Sequence, residues 1–196
     1  MIFNRMIPAV ALFALAACTT ARDTQPARTA TEELLISMAA DRVVEQLHLA
    51  VPDNPKLFVD AQYFDPLDGK YTISAIRDRL AQDGARLVSD RGSADFVVEI
   101  RSGGQSIDTS STLIGIPSFP VPIPLSGSID FPEIPIYKRS TETGVSKLAM
   151  TVYRQKDGSY AQSLGPDYGT ASKKQWSVLF INWGEDDLKP PPEPAH

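Results

Sequence analysis

The sequence predicts an α+β protein, with two helices packed on one face of a mixed or antiparallel sheet and a long proline-rich loop. Apolar residues recur at helical spacing over residues 31–49 and again over 71–84. The second half of the chain alternates apolar and polar residues with the period of two that is typical of strands. Within this half, residues 115–137 carry prolines that neither a helix nor a central strand accommodates. Helices first and strands afterwards favour α+β over alternating βα units.

The first helix is predicted over residues 31–49. Thr29 and Glu32 have the spacing of a capping box, in which each side chain accepts a hydrogen bond from the other residue's backbone N–H. We expect the helix to end before Pro52, because the residue before a proline disfavours helical backbone. The apolar face of this helix carries Leu35, Met38, Ala39, Val43 and Leu47.

Four further elements follow before the prolines. Residues 56–64 are rich in strand formers, and the second helix after them ends at Gly84, a residue suited to a helix C-terminus. Residues 85–90 indicate a short strand or sheet edge. Residues 94–103 alternate apolar and polar side chains and predict a strand that can continue through 105–116, with a bulge at the intervening glycines.

Residues 115–137 are predicted to form one long loop, because proline lacks the N–H that a sheet ladder needs. Alternating prolines hold the chain extended and display apolar side chains between them. Three roles remain open for this loop: it covers a sheet face, it docks on a partner protein, or it touches the acyl region of a membrane. The candidate partner-binding residues are Phe119, Val121, Ile123, Leu125, Phe131 and Ile134.

The last part of the domain is predicted to be a hairpin followed by one strand. Asp157-Gly158 lies between two alternating runs, which is a strong signal for a tight hairpin turn. A final strand over 174–183 places Trp176 and Trp183 on opposite faces, because they lie seven positions apart. We expect a single domain over 31–184 and a disordered, acidic, proline-rich tail over 185–196.

The N-terminus indicates export and lipid attachment. Arg5 precedes an apolar run of about ten residues, too short to span a bilayer as a helix. The run ends in Leu15-Ala16-Ala17-Cys18, which resembles the lipobox of bacterial lipoproteins, with residues 1–17 as signal peptide. Cys18 is the lipidation candidate, because its thiolate is the nucleophile for acylglyceryl transfer. The alternative is a plain secretory signal with an incidental cysteine.

The remaining N-terminal features concern the compartment. Residues 18–30 are small and polar and predict a lipidated tether. By resemblance to enterobacterial sorting rules, Thr19 after the cysteine points to the outer membrane. Cys18 is the only cysteine, so no intramolecular disulfide can form and the core must hold the fold.

Three stretches carry a resemblance to a known group of proteins. They read ARTATEELLIS, ISAIRDRLAQDGARLVSDRGSADFVVEIRSG and GIPSFPVPIP. Together they resemble an uncharacterised family of bacterial lipoproteins, over about Ala27 to Trp183. The layout of a helix ending in glycine, a short strand and a long strand is more loosely similar to complement-resistance and surface-exclusion lipoproteins and to periplasmic domains of secretion-associated lipoproteins. Neither resemblance implies catalytic residues.

The sequence offers little catalytic chemistry. Its two histidines, His48 and His196, lie far apart, which disfavours a histidine-based metal site. Asp60, Asp65 and Asp68 crowd around a turn and could bind calcium, but they lack the spacing of a calcium loop and suit turn formation equally well. No nucleophile elbow or phosphate-binding loop is present. We therefore expect no catalytic residue, no metal and no cofactor.

These observations favour a lipoprotein of the outer membrane that faces the periplasm and acts as a non-catalytic interaction or assembly module. The partners we expect are the membrane, through the N-terminal lipid, and an envelope protein. The net charge of −5 argues against nucleic acid. Two alternatives stay open: a carrier of a small ligand or lipid with the proline segment as lid, and a hydrolase that uses serine and aspartate without histidine.

Overall fold

The computed structural model describes residues 28–50, 54–123 and 127–188. Within these described residues, two helices, α1 (Ala30–Val44) and α2 (Gly69–Gln82), and one 3-10 turn (Arg91–Ser93) accompany eight strands. The strands are β1 (Lys56–Asp60), β2 (Arg86–Leu87), β3 (Phe96–Ile116), β4 (Phe119–Ile123), β5 (Gly127–Phe131), β6 (Ile134–Arg154), β7 (Tyr160–Val178) and β8 (Ile181–Asp186). The predicted leader, Cys18, most of the tether and the end of the tail lie outside the described residues.

Six strands form one mixed sheet in the order β2-β1-β3-β6-β7-β8, and β4 with β5 forms a separate two-stranded sheet. β1 runs parallel to β2 and β3, whereas β3, β6, β7 and β8 are antiparallel. The α+β class is therefore confirmed. In the described part of the chain, no helix combines the length and the apolar character needed to cross a membrane.

The start of α1 is as predicted and its end is not. Thr29 Oγ1 accepts a hydrogen bond from the Glu32 N–H at 3.2 Å, and Glu32 Oε2 accepts one from the Thr29 N–H at 2.7 Å, which completes the capping box. The helix ends at Val44 rather than at residue 49. A tight turn replaces the last predicted helical turn, and Leu47 within it is only 2% exposed. The apolar spacing therefore continues past the end of the helix, because Leu47 is buried without being helical. Pro52 lies outside the described residues.

α1 lies directly on the sheet at two glycines. A Cβ on Gly144 of β6 would overlap the Leu35 carbonyl oxygen, and one on Gly169 of β7 would overlap the Ala39 carbonyl oxygen. Helix and strand backbones therefore meet without side chains between them. Around this contact, one buried cluster joins both helices to the sheet; it includes Val43, Val44, Ile76, Leu80, Leu57, Val98, Ile100, Leu148, Met150 and Val152.

The short elements follow the sequence closely. β2 is a two-residue edge strand, and the bulge of β3 falls at the predicted glycines, between Ser102 and Gly104. Gly84 has φ +92°, as expected after a helix C-terminus. β1 ends at Asp60 rather than at residue 64, because the Asp60 carboxylate accepts a hydrogen bond from the Gln62 N–H and starts a turn.

The segment 115–137 is not a loop throughout. Residues 115–116 belong to β3, β4 pairs with β5, and β6 begins at Ile134. In an antiparallel pair, successive N–H groups point alternately toward and away from the partner. Pro120 and Pro122 are two positions apart, so both leave their missing N–H on the edge away from β5. Regular alternation of proline therefore permits pairing on one side and blocks it on the other.

The C-terminal strands also differ from the prediction. The chain turns at Leu179 and Phe180, so the predicted final strand is the end of β7 and the start of β8. Trp176 lies directly opposite Trp183, and the two indoles share one face instead of opposite faces. β8 continues to Asp186, which extends the domain beyond residue 184 into the predicted tail; residues 189–196 of that tail lie outside the described residues.

Candidate functional site at the distal end of the sheet

The sheet continues well beyond the helix that covers it. α1 begins beside β7, where Lys173 Nζ donates to Thr31 Oγ1 at 3.4 Å. Lys173 is opposite Glu142, and β3 and β6 stay paired from Thr109 opposite Glu142 to Ile116 opposite Ile134. At about 3.4 Å per residue, this stretch is roughly 24 Å long. We call its outer part, with β4, β5 and the β7–β8 turn, the distal end: residues 112–123, 127–139 and 176–183.

The distal end concentrates exposed apolar side chains. Among the described residues, twelve of the eighteen exposed large apolar side chains lie there. Scattered single residues of this kind are normal on protein surfaces, whereas a contiguous group marks an interaction site. The twelve are Ile114, Ile116, Phe119, Val121, Ile129, Ile134, Ile136, Val178, Leu179, Phe180, Ile181 and Trp183.

Strand register arranges these side chains in rows across the sheet, on the face away from α1. The outermost row consists of Ile114, Tyr137, Val178 and Ile181. The next row consists of Thr112, Arg139, Trp176 and Trp183. The third consists of Ser110, Thr141, Lys174 and Glu185. Polarity therefore rises along the strands, from apolar at the end, through aromatic and cationic, to hydroxyl and charged.

Aromatic and cation–π contacts join three side chains of the second row, Arg139, Trp176 and Trp183. The indoles of Trp176 and Trp183 stack with centroids 6.4 Å apart and planes 13° apart. The Arg139 guanidinium carbon lies 6.0 Å from the centre of the Trp176 ring, at the range of a cation–π contact. These contacts keep large amphipathic rings at a fixed level of the sheet although Trp183 remains exposed.

The β7–β8 turn departs from ordinary turn chemistry. Two-residue hairpin turns favour Gly, Asn or Asp, because at least one position needs positive φ. Here the turn is Leu179-Phe180, and Leu179 adopts φ +51°. A non-glycine residue in this region costs on the order of 1 kcal/mol. Phe180 beside it is 97% exposed, so the turn combines backbone strain with the most exposed large apolar side chain described.

The structure brings together most of the candidate residues from the sequence. Phe119 and Phe131 are opposite each other on β4 and β5, stacked with ring centroids 4.9 Å apart. Val121 lies opposite Ile129, and Ile134 opposite Ile116. Ile123 ends β4 opposite Gly127 and is partly buried, whereas Leu125 lies outside the described residues.

Sequence reasoning missed the second half of this site. Leu179, Phe180 and Ile181 were assigned to one continuous strand and not singled out, and Trp183 was placed on the face opposite Trp176. The available signal was the Leu-Phe pair between two alternating runs, which is the position of a turn although its residues are apolar.

An ion pair borders a groove of about 840 Å³ on the α1 side of the distal end. Lys138 Nζ lies 2.7 Å from Glu133 Oε1. The groove is lined by polar side chains such as Gln175 and Asn182 together with Phe180. It offers no nucleophile paired with a base.

The other candidate groups form local pairs. Arg28 binds the Asp68 carboxylate at 2.7 and 2.9 Å and holds the pKa of that carboxyl below its usual range. Asp60 accepts hydrogen bonds from Gln62 and Arg91, so it is not shared with Asp68 in a cation site. Across residues 28–50, 54–123 and 127–188, no group of three His, Cys, Asp or Glu residues is arranged to hold a metal ion.

On α1, the half-buried carboxylate of Asp41 accepts a hydrogen bond from a tyrosine. The Tyr71 hydroxyl donates to the Asp41 carboxylate at 2.9 Å. Burial raises the pKa of Asp41, and burial together with this hydrogen bond raises the pKa of Tyr71. His48 Nδ1 lies 2.6 Å from the Arg79 guanidinium, which also binds Asp83. The histidine therefore lies in a structural network that joins the segment after α1 to the end of α2.

A second groove, of about 940 Å³, lies between the start of α1 and the segment from β1 to α2. Its apolar lining includes Leu34, Phe64 and Ile73. The Arg28–Asp68 ion pair lies beside it, because Asp68 is one of the lining residues.

Comparison with known proteins gives a family without a described activity. No curated protein matches the chain. A family of unknown function, DUF6655, matches residues 13–165, which include both helices, β1 to β6 and the first part of β7. The match stops before Trp176 and the β7–β8 turn. The expectation of an uncharacterised family is thereby confirmed, and the chain belongs to the family of unknown function DUF6655.

Proposed function

We propose that this protein is a lipid-anchored bacterial envelope protein that acts by contact and not by catalysis. Cys18 carries the lipid, the outer membrane holds it, and the folded domain faces the periplasm. The distal end is the contact surface of this interaction or assembly module. The proposed lipid attachment is supported by the sequence Leu15-Ala16-Ala17-Cys18.

One observation carries the contact role: the exposed apolar side chains converge on one end of the sheet, far from the buried core. At that end, Phe119 and Val121 on β4 and Phe180 at the β7–β8 turn are all exposed. Exposed apolar area lowers solubility, so a contiguous apolar surface indicates that another molecule covers it. No nucleophile and base come together at this surface among the residues described.

In-cell photo-crosslinking tests the contact role. A photoreactive residue replaces Val121 or Phe180, and the matched control replaces Tyr160, which is 66% exposed at the opposite end of β7. We expect adducts to another envelope component, protein or lipid, from the two distal positions and none from Tyr160. Equal adduct patterns from all three positions would contradict a dedicated contact surface.

Metabolic labelling with a radioactive fatty acid tests the anchor separately. Wild-type protein should incorporate the label, and Cys18→Ser should not. Label retained in Cys18→Ser, or a chain cleaved at another position without label, would refute lipid attachment at Cys18.

A carrier function is the second candidate, and the groove beside α1 supports it. Its apolar lining and its volume of about 940 Å³ suit part of an acyl chain or a small apolar ligand. Native mass spectrometry of the purified protein checks this reading: a stoichiometric bound lipid that Ile73→Asp removes would support it. The proline segment is paired as β4 and β5, so a flexible lid is no longer part of this hypothesis.

A further inference from the structure

The apolar side chains of the distal end meet at its tip. Ile114, Val178 and Ile181 lie on the face away from α1. The β-bulge of β6 pairs Pro135 with Gly115 and brings Ile134 opposite Ile116, so both share the face of Ile114. The face toward α1 is polar at this level, because Lys138, Ser177 and Asn182 lie side by side there. An apolar tip with one polar face suits shallow entry into a bilayer, where the headgroups solvate the polar side chains.

The neighbouring row across the sheet has the composition of a membrane interface; it consists of Thr112, Arg139, Trp176 and Trp183. Trp and Tyr concentrate where hydrocarbon meets headgroups, because their rings are apolar with one polar atom. Trp176 and Trp183 lie three or four residues from Phe180 along the strands. At about 3.3 Å per residue this is roughly 10–13 Å, close to the depth of about 5–10 Å that interfacial elements reach.

The proposed lipid anchor at Cys18 can reach the bilayer that the distal end would enter. Residues 19–29 separate Cys18 from α1, and an extended chain of this length spans at most about 38 Å. α1 starts beside Lys173, five residues before Val178 at the end of β7. Those five residues cover about 17 Å of strand. A lipid on Cys18 can therefore lie in the bilayer that the distal end would enter.

The strained β7–β8 turn also favours contact with a lipid bilayer. Leu179 and Phe180 replace the residues that a two-residue turn prefers, and they place large apolar side chains at the outermost point of the β7–β8 hairpin. We infer that the distal end inserts shallowly into the phospholipid bilayer, with Leu179 and Phe180 in the acyl region and the Trp176–Trp183 pair at the headgroups. This inference rests on the proposed lipid anchor at Cys18.

Intrinsic fluorescence tests the inference, because both tryptophans of the chain lie in this row. Full-length lipidated protein is reconstituted into phosphatidylethanolamine–phosphatidylglycerol vesicles, with or without bromine on the acyl chains, and vesicle-bound protein is isolated by flotation. We expect brominated lipid to quench the emission of the floated protein and the emission maximum to shift to shorter wavelength. The double variant Leu179→Asp, Phe180→Asp should float equally well but lose most of this quenching.

The control variant is Tyr160→Asp, a charge introduced at an equally exposed aromatic at the other end of β7. It should leave both flotation and quenching at the wild-type level. Circular dichroism and the unfolding midpoint of each variant verify that the exposed substitutions leave the fold intact.

The outcomes separate the two proposals. Protein that floats without quenching would overturn bilayer insertion and leave the anchor standing; a crosslinked dimer or a protein adduct through Phe180 would then identify the true occupant. Wild-type protein that carries no lipid and does not float would overturn the anchor and the insertion together. Quenching that survives the double aspartate variant would also overturn the insertion, because the tryptophans would then reach lipid without the turn.

Discussion

Gly169→Ala tests how closely α1 is seated on the sheet. The added Cβ would overlap the Ala39 carbonyl oxygen and lie 2.7 Å from the Val43 backbone nitrogen. Both contacts are backbone atoms of a helix segment whose side chains Ala39 and Val43 are fully buried. Neither atom can rotate aside, so α1 as a whole must move away from β7 and lose part of its packing.

The expected magnitude follows from that displacement. Overpacking a well-packed core lowers the free energy of unfolding by about 1–3 kcal/mol. Because the two contacting atoms belong to the helix backbone and cannot move aside, we expect a loss at the upper end of this range, about 3 kcal/mol. For a domain of this size, each kcal/mol shifts the melting temperature by about 2–4 °C. We therefore expect Gly169→Ala to lower the melting temperature by roughly 6–12 °C.

The assays are thermal and urea unfolding, both followed by far-ultraviolet circular dichroism, with Gly103→Ala as matched control. A Cβ on Gly103 would also be too close, at 2.6 Å, but to Cδ of the Lys147 side chain. That flexible side chain can move, so we expect a loss within about 0.5–1 kcal/mol. The reasoning fails if Gly169→Ala unfolds at the same urea concentration as Gly103→Ala.

Three further predictions concern the cap, an ion pair and the core. Thr29→Ala should lower the free energy of unfolding by about 1 kcal/mol, because it removes the capping box, and Thr29→Ser should retain most of it. Asp68→Asn should destabilise the protein at pH 7 but progressively less on acidification. The Arg28 hydrogen bond lowers the folded-state pKa of Asp68, so its stabilisation is present above the unfolded-state pKa of about 3.9 and is lost as pH falls through the folded value. Ile100→Ala should cost about 2–5 kcal/mol in the buried core, whereas Ile114→Ala at the distal end should cost less than about 0.5 kcal/mol.

Urea unfolding checks all three, with the pH varied for the second. Equal losses for Thr29→Ala and Thr29→Ser would contradict the cap. A difference between wild type and Asp68→Asn that stays constant from neutral to strongly acidic pH would contradict the ion pair. Comparable losses for Ile100→Ala and Ile114→Ala would mean that the distal end is packed like the core, and the proposed contact surface would fall with that result.

Several elements could be predicted because their signals are local. The Thr29–Glu32 capping box needs only the first turn of one helix. Asp157-Gly158 turns the chain between β6 and β7 as its own backbone preferences require. The bulge near Gly104 similarly reflects a glycine inside a strand pattern. Each of these features depends on residues that are neighbours along the chain.

The two main errors share one cause. Pro120 and Pro122 were expected to prevent pairing, and the residues through Leu179 and Phe180 were expected to continue a strand. Both inferences treated the local preference of the chain as decisive. In the structure, β5 supplies a partner on the side where β4 retains its N–H groups, and the register of β7 with β8 turns the chain at two apolar residues. Tertiary pairing outweighed local propensity at both places.

The candidate site was half predictable for the same reason. Phe119, Val121 and Phe131 were identified because prolines set them apart in the sequence. The contribution of Phe180 and Trp183 depends on β7 and β8 forming a hairpin that ends beside β3 and β6. No local pattern connects these residues to the proline segment, which lies roughly fifty positions earlier in the chain.

The α+β class, the positions of both helices, the cap of α1 and the hairpin at Asp157-Gly158 could all be predicted from the residue pattern. The folded chain was needed to learn that the proline segment pairs with itself, that Trp176 stacks on Trp183, and that exposed apolar residues from distant segments gather at one end of the sheet. The physical reason is that periodicity and turn preferences act between neighbours. Strand register, by contrast, is set by hydrogen bonds and packing between residues far apart in the chain.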